Sequence, residues 1–113
     1  MSKEINRLLI ALEQFRAINP NMPVQQVQTF LYVCKHEQDE GGCNVRDLAT
    51  ALDYSLASAS RNIAAFSEVT RHKKQGPNLL EAREDFYNRA YKRISLTEGG
   101  RRLRNTLQEL VAT

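Results

Sequence analysis

Apolar side chains recur at helical spacing through the first eighteen positions. Ile5, Leu8, Leu9, Leu12 and Phe15 share one stripe, and that spacing predicts an amphipathic helix over residues 3–18. Asn19-Pro20-Asn21-Met22-Pro23 closes it, because a proline restricts the residue before it and cannot continue the hydrogen-bond ladder. Pro23 suits the first turn of a second helix, where a missing N–H costs nothing. That helix carries Val24, Val27, Phe30, Leu31 and Cys34 inward and ends near His36, before the polar stretch Glu37-Gln38-Asp39-Glu40-Gly41-Gly42. Beyond it, Asn44 is placed to cap a short helix from about Val45 to Leu52, with Val45, Leu48, Ala49 and Leu52 on the buried side. Asp53-Tyr54 makes a tight connection, and Ser55 caps a further helix over about residues 56–68. In that helix Leu56, Ala59, Ile63 and Phe66 face inward, leaving Ala57, Ser58, Ser60, Arg61, Asn62 and Ala65 outside. Two short helices joined by three or four residues, the second with a small, polar outer face, form a helix-turn-helix pattern.

The pattern then changes period. Thr70 to Asn78 reads as a basic loop, and two strands follow at about Leu79–Glu84 and Lys92–Leu96, separated by residues 85–91. Arg93-Ile94-Ser95-Leu96 alternates polar and apolar as a half-buried strand does. Thr97 caps a last helix over 98–112, whose apolar stripe is Leu103, Leu107, Leu110 and Val111. The predicted class is mainly α with a small β-hairpin, in the order helix, helix, helix-turn-helix, hairpin, helix. At 113 residues this is one domain spanning 1–113. The stripes of helices 3–18 and 98–112 exceed what a core of this size absorbs, so both are expected to form a homodimer interface.

Composition narrows the classes. Hydrophobic residues at 42% and charged residues at 26% describe a folded domain rather than a disordered one. No apolar run approaches the roughly 20 residues that span a bilayer. The amino terminus enters an amphipathic helix directly, without a secretory h-region, so a cytoplasmic, membrane-free protein is expected. Two cysteines, Cys34 and Cys43, make no disulfide framework, although a redox switch through either thiol stays open. The net charge of +3 is unevenly spread: residues 1–70 carry −2 and residues 71–104 carry +6. A basic segment on a nearly neutral body is the asymmetry of a nucleic-acid contact surface.

Two segments carry a resemblance. Asn44-Val45-Arg46-Asp47-Leu48-Ala49-Thr50-Ala51-Leu52 followed by Ser55-Leu56-Ala57-Ser58-Ala59-Ser60-Arg61-Asn62-Ile63, and then Leu96-Thr97-Glu98-Gly99-Gly100, resemble the winged helix-turn-helix regulators of the multiple-antibiotic-resistance repressor (MarR) type. The likeness covers about residues 24–104. It lies in the Leu-Ala pair of the first helix, the Ser-Arg pair of the recognition helix, and the Leu-Thr-x-x-Gly exit from the wing. Asn88, Arg89 and Ala90 stand where the family often has Asp-Arg-Arg, the stretch from Phe66 to Leu79 is longer than usual, and one carboxy-terminal helix stands where the family tends to have two. The resemblance implies a winged helix that binds double-stranded DNA as a dimer, at a palindromic site, and regulates transcription, most often as a repressor.

The residues supply matching chemistry. Ala57, Ser58, Ser60 and Ala65 are short enough to let a helix settle into a major groove roughly 12 Å wide. Arg61 can donate two parallel hydrogen bonds to guanine, and Asn62 can pair with adenine. Ser55, Ser58 and Ser60 can donate to phosphates. Arg83, Arg89, Lys92 and Arg93 give the wing its charge, and Arg71, Lys73 and Lys74 give the preceding loop its own. Arg101, Arg102 and Arg104 read equally as a charged helix face. No nucleophile has a positioned base, His36 and His72 lack an acid–base partner, and no paired Cys-x-x-Cys spacing points to zinc, so the reading is non-enzymatic, without metal or cofactor. No residue pattern specifies a small-molecule effector. A winged-helix module that binds a protein, and a replication-associated DNA binder, share the fold and remain the alternatives.

Overall fold

The computed structural model describes residues 2–69, 74–84 and 92–112. Helix α1 (Lys3–Ile18) begins at Ser2, whose side chain accepts from the Ile5 amide, and α2 (Val24–His36) begins one residue after Pro23. Gly41 and Gly42, both at positive φ, turn the chain into β1 (Cys43–Asn44). The helix-turn-helix follows as α3 (Val45–Leu52) and α4 (Leu56–Ala64), and the wing as β2 (Leu80–Glu84) and β3 (Lys92–Leu96). Helix α5 (Glu98–Val111) comes last. The winged-helix architecture expected from the pattern is the one observed, with the addition of β1. It pairs Cys43 with Ile94 and Asn44 with Arg93, giving an antiparallel sheet in the order β1-β3-β2.

Local chemistry accounts for the boundaries. Asn44 caps α3 reciprocally: its Oδ1 accepts from the Asp47 amide at 2.8 Å while its Nδ2 donates to the Asp47 carboxylate at 2.9 Å. Asp53 ends α3 in the left-handed region (φ 58°), which aspartate tolerates better than bulky residues. Ser55 caps α4 by accepting from the Ser58 amide at 3.0 Å. The expected end near residue 68 is too late. α4 stops at Ala64, and Phe66 turns its carbonyl toward Leu79 and Leu80, accepting from both amides at 2.7 and 3.1 Å. Beyond it Val69 and Gln75 form an antiparallel bridge, and the Gly76 amide donates to the Glu68 carbonyl at 2.7 Å.

The core joins these elements through aromatic contact. Phe30 on α2 meets Phe15 on α1 edge to face at 5.9 Å and Phe66 at 5.6 Å, and Leu48, Leu80, Ile94 and Leu96 complete the dry interior. Gly100 lies where the wing enters α5; a Cβ there would overlap the Leu79 carbonyl oxygen, so only glycine permits the approach.

Four expected inward or outward positions need correction. Leu56 is 49% exposed, since burial on α4 starts only at its second turn with Ala59. Val24 and Leu31 on α2 are likewise exposed. Asn62, expected outside, is 9% exposed, and its Nδ2 has no hydrogen-bond partner among the described residues. The reason is geometric: 59, 62, 63 and 66 form the i, i+3, i+4, i+7 stripe of a helix face, which carries Asn62 inward with Ala59, Ile63 and Phe66. An unpaired buried amide carries a desolvation penalty of about 1–3 kcal/mol. Replacing it with the similarly sized leucine is expected to raise stability, so Asn62→Leu should increase Tm by several degrees in a calorimetric scan. A lowered Tm would mean that the amide is satisfied.

Candidate nucleic-acid interface

Helix α4 shows a narrow outer face. Ala57, Ser60 and Arg61 are exposed, Ser58 and Ala64 half-buried, and Leu56 stands exposed at its start. Arg61 is the long side chain on that ridge, and its Nη2 donates to Ser58 Oγ at 3.1 Å. Leu56 escaped the sequence reading because its spacing matches the buried stripe; its place next to the capping serine was the available signal. Ser55, expected as a phosphate donor, has its hydroxyl engaged in the cap and in a 3.0 Å bond to Ser58 Oγ.

The wing sorts its cations by strand alternation. Ser60 and Ala64 on α4 face Ala82, Lys92 and Ile94 across a cleft of about 230 Å³, so Lys92 shares a side with the outer ridge of α4. Arg83 and Arg93, directly opposed in the β2–β3 register, line a separate hollow on the other side of the sheet with Glu37, Gly42 and Ser95. Arg83 reaches Glu81 there at 3.5 Å. The structure therefore brings Lys92 to α4 and places Arg83 and Arg93 away from it. Lys74 is exposed beside the Val69–Gln75 bridge. Arg71, Lys73 and Arg89 lie outside the described residues.

Arg101, Arg102 and Arg104 each have a partner within the chain. Arg101 donates to the Leu96 carbonyl at 3.0 Å, Arg102 pairs with Glu98 at 3.1 Å, and Arg104 reaches Glu37 at 3.5 Å in a half-buried pair linking α5 to the end of α2. His36, expected to lack an acid–base partner, has Asp39 at 2.7 Å, three positions on, and packs on the Tyr32 ring with centroids 4.3 Å apart. Among the described residues no group of three His, Cys, Asp or Glu could hold a metal ion, and no helix is long and apolar enough to cross a membrane.

At the other end of the molecule, α1 packs along α5 and leaves Ile5, Leu8 and Leu9 each more than half exposed. An apolar groove of about 390 Å³ opens beside them between α1, α2 and α5, lined among others by Leu12, Leu31, Cys34 and Leu107. Burial pushes the Cys34 thiol up to about 11 and Cys43 to about 12, with nearby acidic groups adding to the second shift. Both are held as neutral thiols at physiological pH, the unreactive form.

Solved structures supply the comparison. The chain is similar to MepR of S. aureus in a MepR–DNA complex, at 25% identity and TM-score 0.65 over 93% of this chain and 73% of that one. It is similar at 25% identity and TM-score 0.64 to a MepR variant from a multidrug-resistant S. aureus clinical isolate, covering 86% of this chain and 59% of that one. A MepR variant bound to an oligodeoxyribonucleotide shares the fold at 19% identity and TM-score 0.62, over 97% and 76%. MepR is a winged-helix regulator of the MarR family, the family whose motifs this sequence resembles. No protein-family model matches the chain, and no curated protein does.

A thiol whose folded-state pKa is raised contributes stability below its ordinary value near 9 and loses it as the pH climbs toward the folded value. Thermal stability is therefore expected to fall between about pH 9 and 12, less steeply in a Cys34→Ala, Cys43→Ala double variant. At pH 8 the native protein should react with a thiol reagent far more slowly than free cysteine. Reaction at the free-cysteine rate would reopen the redox-switch reading.

Proposed function

We propose that this chain is a sequence-specific double-stranded DNA-binding transcription regulator that acts as a dimer, with α4 in the major groove and the basic wing along the neighbouring backbone. The observation that carries the reading is the outer face of α4, where short side chains surround one exposed arginine. Such a ridge can approach base edges closely, and Arg61 then has the fork of donors that matches guanine O6 and N7. The DNA held by the MepR neighbours supports the same partner. Leu56 adds an apolar contact suited to a thymine methyl, and Ser60 and Lys92 flank the cleft that a sugar–phosphate strand meets when helix and wing enter adjacent grooves. Asn62, being buried, drops out of the base-reading set. By sequence, Arg71, Lys73, Lys74 and Arg89 add backbone contacts, and Arg83 and Arg93 enlarge the general positive field.

The apolar face of α1, with the groove beside it, pairs with a second copy about a two-fold axis. That arrangement would set two recognition helices about 34 Å apart and match a palindromic site. Seated on its site, such a dimer acts as a repressor by occupying it. The chemistry calls for no catalytic step.

Duplexes selected from a random pool test the first part. Arg61→Ala should cut discrimination between the selected site and a scrambled one by about 1–3 kcal/mol, the worth of one bidentate base contact, with thermal stability unchanged. Discrimination that survives this change removes α4 from the reading of sequence, and a protein indifferent to duplexes at low salt leaves the protein-interaction module. Light scattering tests the second part: the protein should show twice the 12.9 kDa of its chain. Leu9→Glu should yield a folded monomer with weakened DNA binding, and an unaffected assembly would place the interface elsewhere.

A further inference from the structure

Ser55 at the cap of α4 and Arg61 one turn beyond Ser58 converge on one oxygen, Ser58 Oγ. Ser55 Oγ, having accepted from the Ser58 amide, donates to Ser58 Oγ at 3.0 Å. Arg61 Nη2 donates to that same oxygen at 3.1 Å. Residues 55, 58 and 61 are three apart, so they stand one above another on one side of the helix. A long helical side chain leans back over the preceding turn, and what Arg61 meets there is the Ser58 hydroxyl.

We infer that Ser58 is a positioning residue: it holds the Arg61 guanidinium in one direction before DNA arrives, and through it sets sequence preference. The inference rests on the DNA-binding reading above. An arginine on an exposed helix samples many rotamers, and each one excluded beforehand is ordering that the complex need not impose. The valences close. Ser58 Oγ has two acceptor lone pairs, taken by Ser55 and Arg61, so the serine pair and the arginine form one ordered chain anchored at the helix cap. Of the five guanidinium N–H groups one goes to Ser58, which leaves a parallel pair free for O6 and N7 of a guanine. The cap gives the tether its rigidity, because Ser55 is itself fixed by the first turn of the helix. A phosphate contact by Ser58 would instead add affinity for every sequence alike.

The full-length protein is compared on its selected duplex and on a scrambled duplex at one salt concentration. Ser58→Ala should lower the ratio of the two affinities about three- to tenfold, the scale of ordering one long side chain. An equal loss on the scrambled duplex would make Ser58 a phosphate contact and overturn the inference. Ser58→Thr, which keeps the hydroxyl, should restore the ratio. In the free protein, the Arg61 Nε–H group should become more mobile by NMR relaxation in Ser58→Ala. In an Arg61→Ala background, Ser58→Ala should have no further effect on the ratio. An unchanged ratio in Ser58→Ala, an unchanged Arg61 mobility, or an effect that persists without Arg61 overturns the inference. If Arg61→Ala collapses the ratio while Ser58→Ala leaves it intact, only the positioning role fails. If Arg61→Ala leaves it intact, the DNA-reading role of α4 fails as well.

Discussion

Phe30 lies with no exposed surface between the rings of Phe15 and Phe66, and the rest of the molecule is arranged around that contact. Phe15 comes from α1, Phe30 from α2, and Phe66 from the turn that ends α4. Edge-to-face and tilted ring pairs are directional, so the three rings fix orientation as well as distance. Phe66 also accepts from the Leu79 and Leu80 amides through its main chain. One residue thereby places the end of the proposed recognition helix and the start of the wing. The relative position of the two surfaces offered to DNA is thus set inside the core, where close packing resists adjustment, and the outer ridge of α4 is free to carry chemistry.

A second junction holds the far side of the wing. Thr97 accepts from the Gly100 amide to cap α5 and donates to the Asn78 carbonyl at 2.6 Å, while its own amide bonds to Leu79. Gly100 lets the Leu79 carbonyl come against the first turn of α5. These contacts give Leu96-Thr97-Glu98-Gly99-Gly100 a physical meaning: a strand end, a cap that also bridges, and a position where no side chain fits. Arg101, bonded to the Leu96 carbonyl, tightens the same corner.

Helices were legible in the sequence where caps and apolar stripes agreed. Ser55, Asn44 and Thr97 act as the caps that their neighbours implied, and α1, α3 and β3 have the expected bounds. What escaped depended on partners distant in the chain. β1 is two residues long and exists only because β3 pairs with it, so no alternation could announce it. The early end of α4 follows from the Phe66 carbonyl turning to Leu79, a contact across thirteen positions. Asn62 is a different case. Its helical phase with Ala59, Ile63 and Phe66 was readable, but its polarity outweighed its position in the reading. The two sides of the wing were also implicit, since alternation alone separates Lys92 from Arg93; a count of basic residues in the segment conceals it.

The same constraints bear on how two copies would present their recognition helices. α1 packs mainly along α5, whereas α4 packs on α2, α3 and β2, so the two proposed surfaces are carried by different parts of the fold. They are joined by the Phe15–Phe30 contact, by the Thr97–Leu79 corner, and by the Arg104–Glu37 pair between α5 and the end of α2. In the dimer proposed above, one ring contact, one turn that requires glycine and one half-buried ion pair are among the links that transmit the spacing of the recognition helices. The first is close packing and the second a hydrogen-bonded corner that excludes a Cβ, so neither depends much on ionic strength. The ion pair is half-screened, so it is the link of the three whose strength changes with salt.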